Sequence, residues 1–185
     1  MHYSELKFFA CSESRDWMYR HSNLTPKQTW KQCPRGDWLL YTMMKIGVPI
    51  KFQAVAALVC AEGAQHHSKD ARELNLLVRR WVRGKGSKKN LGNAVYDKKI
   101  RLDQLDDEDE RSALRASVAL VENIIDPGYE DMYYVSVGAI AACVGPYNLD
   151  KTLKLQKVCA ERIRQVVPFS VVERAFKKYL KNSEQ

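Results

Sequence analysis

Phe52-Gln53-Ala54-Val55-Ala56-Ala57-Leu58-Val59-Cys60-Ala61-Glu62-Gly63-Ala64 is apolar around nearly its whole circumference. Such a run marks a helix enclosed by its neighbours rather than one lying on a surface, and it is the natural centre of an all-α fold. The segments on either side read as the helices that enclose it.

Upstream, Ser4 to about His21 places Leu6, Phe9, Ala10, Trp17 and Met18 at helical intervals, as one buried face or two short helices would require. Thr25-Pro26-Lys27-Gln28 then gives a helix start. Thr25 is suited to cap, Pro26 to the first helical position and Gln28 to the reciprocal capping bond. Pro34 and Gly36 break that short helix, and Asp37 is placed to cap the run from Trp38 to Met44, which Gly47 and Pro49 end.

Downstream, Leu74, Leu77, Val78, Trp81 and Val82 make an amphipathic helix ending at Gly84. Lys85 to Asn93 holds two glycines and little to bury, and reads as a mobile loop. Lys98, Lys99 and Arg101 give way abruptly to Asp103, Asp106, Asp107, Glu108, Asp109 and Glu110, acids that suit the first turn of the helix carrying Leu114, Val118, Val121 and Ile125. Pro127-Gly128 separates it from a helix over 129–144, with Tyr133, Val137, Ile140, Ala141 and Val144 on one side, small Gly138, Ala139 and Ala142 for close packing, and Gly145-Pro146 as its stop. Two helices follow: Leu149 to Val167, bearing Leu153, Leu155, Val158, Cys159, Ile163 and Val166, and a last one introduced by the Ser170-Val171-Val172-Glu173 capping box.

The expectation is therefore one all-α bundle of about seven to nine helices over residues 1–185, with a mobile charged insert at about 84–110. No stretch reaches the roughly 20 apolar residues that span a bilayer, and Met1 to Lys7 lack the order of a signal peptide, so a cytoplasmic protein without membrane contact is expected. Cys11, Cys33, Cys60, Cys143 and Cys159 form no C-x-x-C pair, which argues against a disulfide framework or a zinc ribbon. Core packing also accounts for Trp17, Trp30 and Trp38, crowded into the first 40 residues.

Chemistry is poorly represented. Glu62 and His66 stand at i,i+4 beside His67 without a third ligand, so no metal and no cofactor are expected. Cys33 precedes a helix start, where a thiolate would be stabilised, but no oriented base accompanies it, and no catalytic residue is assigned.

Charge is the stronger signal. The formal net charge of +8 favours an anionic partner. The partner-binding candidates are Arg79, Arg80, Arg83, Lys85, Lys88, Lys89, Lys98, Lys99 and Arg101, with the acids Asp106, Asp107 and Glu108. A second set, Lys154, Lys157, Arg162, Arg164, Arg174, Lys177 and Lys178, would serve direct, sequence-independent nucleic-acid binding. Solvated helix faces account for the same residues with no partner at all.

The run Thr25-Pro26 … Trp30 … Cys33-Pro34-Arg35-Gly36-Asp37-Trp38-Leu39-Leu40, with Ala160-Glu161-Arg162-Ile163-Arg164 … Val166-Val167-Pro168 near the end, resembles small helical phage, prophage and bacterial proteins without an assigned activity that carry C-x-R-G-D-W-L-L. The resemblance implies no catalytic residues. It implies a compact binder of a host protein or nucleoprotein in the host cytoplasm, such as an inhibitor of a defence nuclease; oligomeric state is left open. The charged stretch from Arg83 to Glu110 departs from that pattern and is where an individual function is expected.

Overall fold

At the Thr25-Pro26 start, the Thr25 hydroxyl accepts from the Gln28 amide at 3.3 Å and the Gln28 side-chain oxygen accepts from the Thr25 amide at 2.9 Å. Two of the donors that a helix start leaves unpaired are thereby satisfied. These distances come from a computed structural model, which describes residues 11–127, 132–144 and 148–183.

Among them the regular elements are all helices: α1 (Ser12–Arg20), α2 (Pro26–Gln32), α3 (Gly36–Lys45), α4 (Ile50–Ala61), α5 (Lys69–Val82), α6 (Lys88–Leu102), α7 (Glu108–Ile125), α8 (Met132–Val144), α9 (Leu149–Val166) and α10 (Phe169–Ser183). Ten helices exceed the expected seven to nine, chiefly because the chain around Lys88 is helical.

The apolar α4 is enclosed as its composition demands, packing against α3, α5, α7, α8 and α9. One hydrophobic cluster runs from Trp30 through Leu40, Met43, Leu74, Leu114, Leu120 and Ile163 to Phe176. Truncating a fully buried leucine here to alanine is expected to cost about 2–5 kcal/mol.

Two crossings are closer than ordinary side chains allow. A methyl group at Gly138 would stand 3.2 Å from the Ser112 carbonyl and 3.3 Å from the Ala116 Cβ, so the small residues of α8 let α7 approach. At Gly36 the added carbon would meet the Cys159 Cβ at 2.5 Å, so α3 can begin against α9 only because this residue has no side chain.

Several local readings are corrected. Asp37 does not cap: α3 begins at Gly36, and Asp37 lies in its first turn, where its carboxylate accepts from the Trp38 amide at 3.0 Å. Ser170 does not cap either, because α10 begins at Phe169 directly after Pro168. The buried side of α8 is Val135, Ser136, Ala139, Ile140 and Ala142, while Val137, Ala141 and Val144 are half-buried. Leu153 and Val158 of α9 are exposed rather than interior. The expectations for Leu6, Phe9, Ala10, Gly128, Tyr129, the Tyr133 side chain, Gly145 and Pro146 lie outside the described residues.

The largest correction concerns the stretch read as a loop. Residues 88–102 form α6, capped by the Ser87 hydroxyl, which accepts from the Asn90 amide at 3.1 Å. Leu91 and Val95 are buried, and two bonds tie the helix to α7: Lys99 to Glu122 at 2.5 Å and the Lys88 ammonium to the Ile125 carbonyl at 3.3 Å.

Candidate functional site

The charged residues fall into two kinds, those that close contacts inside the protein and those that face outward with no partner among the described residues. The division begins in α5. Ser68 caps it by accepting from the Ala71 amide at 3.3 Å, and Ala71, Leu74, Asn75 and Val78 fill its buried side. At 3.6 residues per turn, Lys69, Arg72, Leu76, Arg79, Arg80 and Arg83 fall on the opposite side, and all are exposed.

The helix closes on Gly84, whose positive φ of 75° suits glycine. The Gly84 amide donates to the Trp81 carbonyl at 2.9 Å and the Lys85 amide to the Arg80 carbonyl at 2.8 Å, so the last carbonyls are satisfied without a side chain. Arg79, Arg80 and Arg83 lie at the negative end of the helix dipole, which stabilises them by about 0.3–1 kcal/mol each.

Within the candidate partner surface, internal pairing removes about half of the charge. Lys98 of α6 pairs with Asp70, which is buried, and with Glu73 at 2.9 Å. Burial disfavours the Lys98 ammonium, yet its hydrogen bonds to Asp70 and Glu73 outweigh this and raise its pKa above the ordinary lysine value. Arg101 also reaches Asp70 at 3.0 Å, Arg79 pairs with Glu62, and Lys99 is held by Glu122. On the acidic side, Asp107 caps α7 through the Glu110 amide at 2.7 Å, and Glu108 pairs with Arg111 at 2.9 Å. Asp106 is exposed just before that cap.

The cations of this region without an acid partner among the described residues are Lys69, Arg72, Arg80, Arg83, Lys85, Lys88 and Lys89, of which Lys88 donates to the Ile125 carbonyl. Lys69 and Arg72 were not among the sequence candidates. The signal that finds them is their place on the polar side of the α5 periodicity.

The carboxyl-terminal set divides in the same way. Arg164 turns inward and donates to the Trp30 carbonyl at 3.3 Å and the Cys33 carbonyl at 2.9 Å, capping the end of α2. Arg162 donates to the Val59 carbonyl at 3.4 Å, and Lys177 pairs with Glu173 at 3.1 Å. Lys154, Lys157, Arg174 and Lys178 remain exposed. Because α5 packs on α4, α6 and α7, while α9 packs on α3, α4 and α8, the two basic sets stand on helices that share no extensive contact.

The Cys33–Trp38 motif is occupied by structure. Asp37 is fully buried and holds Arg35 through two bonds of 3.0 and 2.5 Å, and Arg35 reaches on to Glu13 at 2.8 Å and covers the Trp38 ring at 4.8 Å. Burial pushes the Asp37 carboxyl above its ordinary pKa, with Arg35 opposing it. The buried Gln156 side chain accepts from the Asp37 amide at 3.1 Å, locking α9 to the start of α3.

Cys33 is not poised as a nucleophile. Burial pushes the Cys33 thiol up to about 12, which removes it as a reactive thiolate at neutral pH. Cys60 and Cys159 are buried and hydrogen-bonded to each other, and that bond, helped by Arg162, holds Cys159 below the usual thiol value while Cys60 is raised. All described cysteines are free thiols, and Trp30 and Trp38 are core residues.

The His66 and His67 rings lie 4.0 Å apart and tilted by 40°, and no group of three metal-ligating side chains occurs among the described residues. Within the same residues, no helix is long and apolar enough to cross a membrane. Comparison of the chain with protein-family models, with curated proteins and with solved structures gives no match in any of the three.

Proposed function

We propose that this chain is a non-enzymatic binding protein that engages a polyanion, the phosphate backbone of a nucleic acid or nucleoprotein, along the outward face of α5. The observation that carries this reading is the run of Lys69, Arg72, Arg80 and Arg83 on one helix face, exposed and without acid partners among the described residues. From Lys69 to Arg83 the helix axis advances about 21 Å, at 1.5 Å per residue. That length matches about six phosphates of one duplex strand at ~3.4 Å each.

Such contacts position a backbone without reading bases, so binding is sequence-independent. The sequence-level alternative of direct nucleic-acid binding is promoted over the mixed-charge protein surface because Lys98, Lys99, Arg101 and Glu108 are already engaged internally. The test is a mobility shift with a random-sequence duplex at low salt. A shift that disappears as salt rises is the expected result, and no shift at low salt removes the reading.

A second reading is a phage-encoded inhibitor that covers the surface of a host protein such as a defence nuclease, in line with the C-x-R-G-D-W-L-L resemblance. The observation favouring it is the exposed pair Leu149 and Leu153, one turn apart on α9 and beside Lys154 and Lys157. Apolar anchors ringed by cations suit a protein partner. Co-purification from a bacterial lysate that is lost on Leu149→Asp supports it, and recovery of no specific protein counts against it.

A further inference from the structure

Three cysteines that lie far apart in the sequence, Cys60 of α4, Cys143 of α8 and Cys159 of α9, gather around Arg162. Arg162 donates to the Val59 carbonyl at 3.4 Å, and a side-chain carbon at Gly63 would meet its Nη1 at 3.6 Å. Val59 and Gly63 flank Cys60, while Cys159 stands one turn before Arg162 on α9. The crossing that brings Arg162 onto α4 therefore sets the Cys60 and Cys159 thiols face to face, hydrogen-bonded to each other. Cys143 lies at the rim, its exposed thiol donating to the Gly63 carbonyl at 3.6 Å.

The two facing thiols are unequal. Cys60 is 1% exposed and keeps its proton, held by the bond to Cys159 and by burial. Cys159 is 6% exposed and stands beside the exposed Arg162. The hydrogen bond from Cys60, helped by Arg162, holds the Cys159 thiol below its usual value against its burial. A thiolate next to a guanidinium is the form that reacts with peroxides, and a second thiol in contact with it is the group that resolves the product.

We propose that Cys159 and Cys60 form an oxidation site for a small hydroperoxide, hydrogen peroxide being the simplest, which converts the facing thiols into a disulfide joining α4 to α9. The Cys159 sulfur, its proton given up to solvent, attacks one peroxide oxygen. An S–O bond forms, the O–O bond breaks, and the departing hydroxide regains that proton as water. The Cys60 sulfur then attacks the sulfenic sulfur of Cys159. An S–S bond forms, the S–O bond breaks, and the Cys60 proton leaves with the hydroxide as a second water. Two electrons pass from the thiols to the peroxide, and a dithiol reductant reverses the change.

The site is independent of the polyanion reading. It uses none of Lys69, Arg72, Arg80 and Arg83, and nucleic acid is left out of its test. The reduced full chain is treated with hydrogen peroxide, its remaining thiols are alkylated, and its peptides are mapped by mass spectrometry. The expected product is one disulfide between the Cys60 and Cys159 peptides, a chain lighter by ~2 Da before alkylation, and full reversal by dithiothreitol. Cys143→Ser removes the exposed neighbour and is expected to leave that product unchanged.

Cys60→Ser is expected to halt the reaction at the Cys159 sulfenic acid, which dimedone traps, a signature that a packing role for Cys60 would not give. A folded Cys60→Ser variant without that adduct overturns the assignment of Cys159 as the attacking thiol. Peroxide-treated chain in which Cys60 and Cys159 both remain free overturns the whole proposal, and so does a disulfide formed chiefly through Cys11, Cys33 or Cys143. These last two results are read on the unaltered chain, so they stand whether or not a variant folds.

Discussion

Arg35 and Arg80 carry the same guanidinium in opposite circumstances. Arg35 is held by buried Asp37, reaches Glu13 and lies over Trp38, while Arg80 stands exposed on α5 with no acid beside it among the described residues. The motif with the most recognisable spelling is therefore a folding device, a corner where α2, α3 and α9 are pinned together. The binding capacity we propose lies in a helix whose sequence looks ordinary. A conspicuous polar motif speaks of function only after its internal partners have been counted.

The corner is where substitutions should do most harm to stability. Asp37→Ala removes one half of a buried pair and leaves Arg35 unmatched, an expected loss of about 3–5 kcal/mol in chemical denaturation. Asp37→Asn keeps the shape and should lose less. Next in size is Gly36→Ala. Its new methyl meets the Cys159 Cβ at 2.5 Å, so α3 and α9 must part, at an expected overpacking cost of about 1–3 kcal/mol. At about 2–4 °C per kcal/mol for a chain of this size, thermal melting resolves both.

Cys33 adds a dependence on pH with a definite sign. Its thiol is pushed up to about 12 in the folded protein against 9.0 in an unperturbed chain, so the folded state holds the proton more tightly. That contribution is fully present below pH 9 and is lost as pH climbs toward 12. Cys33→Ala should flatten the alkaline decline in stability, and a decline of equal steepness would show that other groups cause it.

Along α5 the comparison should invert. Arg72→Gln, Arg80→Gln and Arg83→Gln together are expected to shift stability by no more than about 0.5 kcal/mol per site, because these are solvated side chains. A much larger loss on thermal melting would place these cations with Arg35 as structural groups.

The legibility of the sequence follows the same division. Thr25, Pro26 and Gln28 are readable because a cap joins residues three positions apart, and the acids around Glu108 are readable because they suit the first turn of a helix. The enclosed helix α4 is readable because its composition leaves no polar side. What escapes is non-local. Asp37 looks like a cap until Arg35 and Gln156, the latter 119 positions away, claim its carboxylate and amide. Helix α6 looks like a loop because it buries little beyond Leu91 and Val95 and is held by Asp70, Glu73 and Glu122 of other helices. At the candidate site, Arg80, Arg83, Lys85 and Lys89 were legible as cations, but which of their neighbours were already paired was not.

The most direct test is the salt dependence of affinity for a fluorescent random-sequence duplex, measured by anisotropy for three proteins. These are the unaltered chain, the triple variant at Arg72, Arg80 and Arg83, and a control with Lys154, Lys157 and Arg174 changed to glutamine. If α5 carries the phosphate contacts, the first triple variant binds weakly and its log–log salt slope falls by about 2.7, at ~0.9 per phosphate contact removed, while the control keeps the slope of the unaltered chain. Equal slopes for the α5 variant and the unaltered chain, or a loss confined to the control, would contradict the assignment of binding to α5.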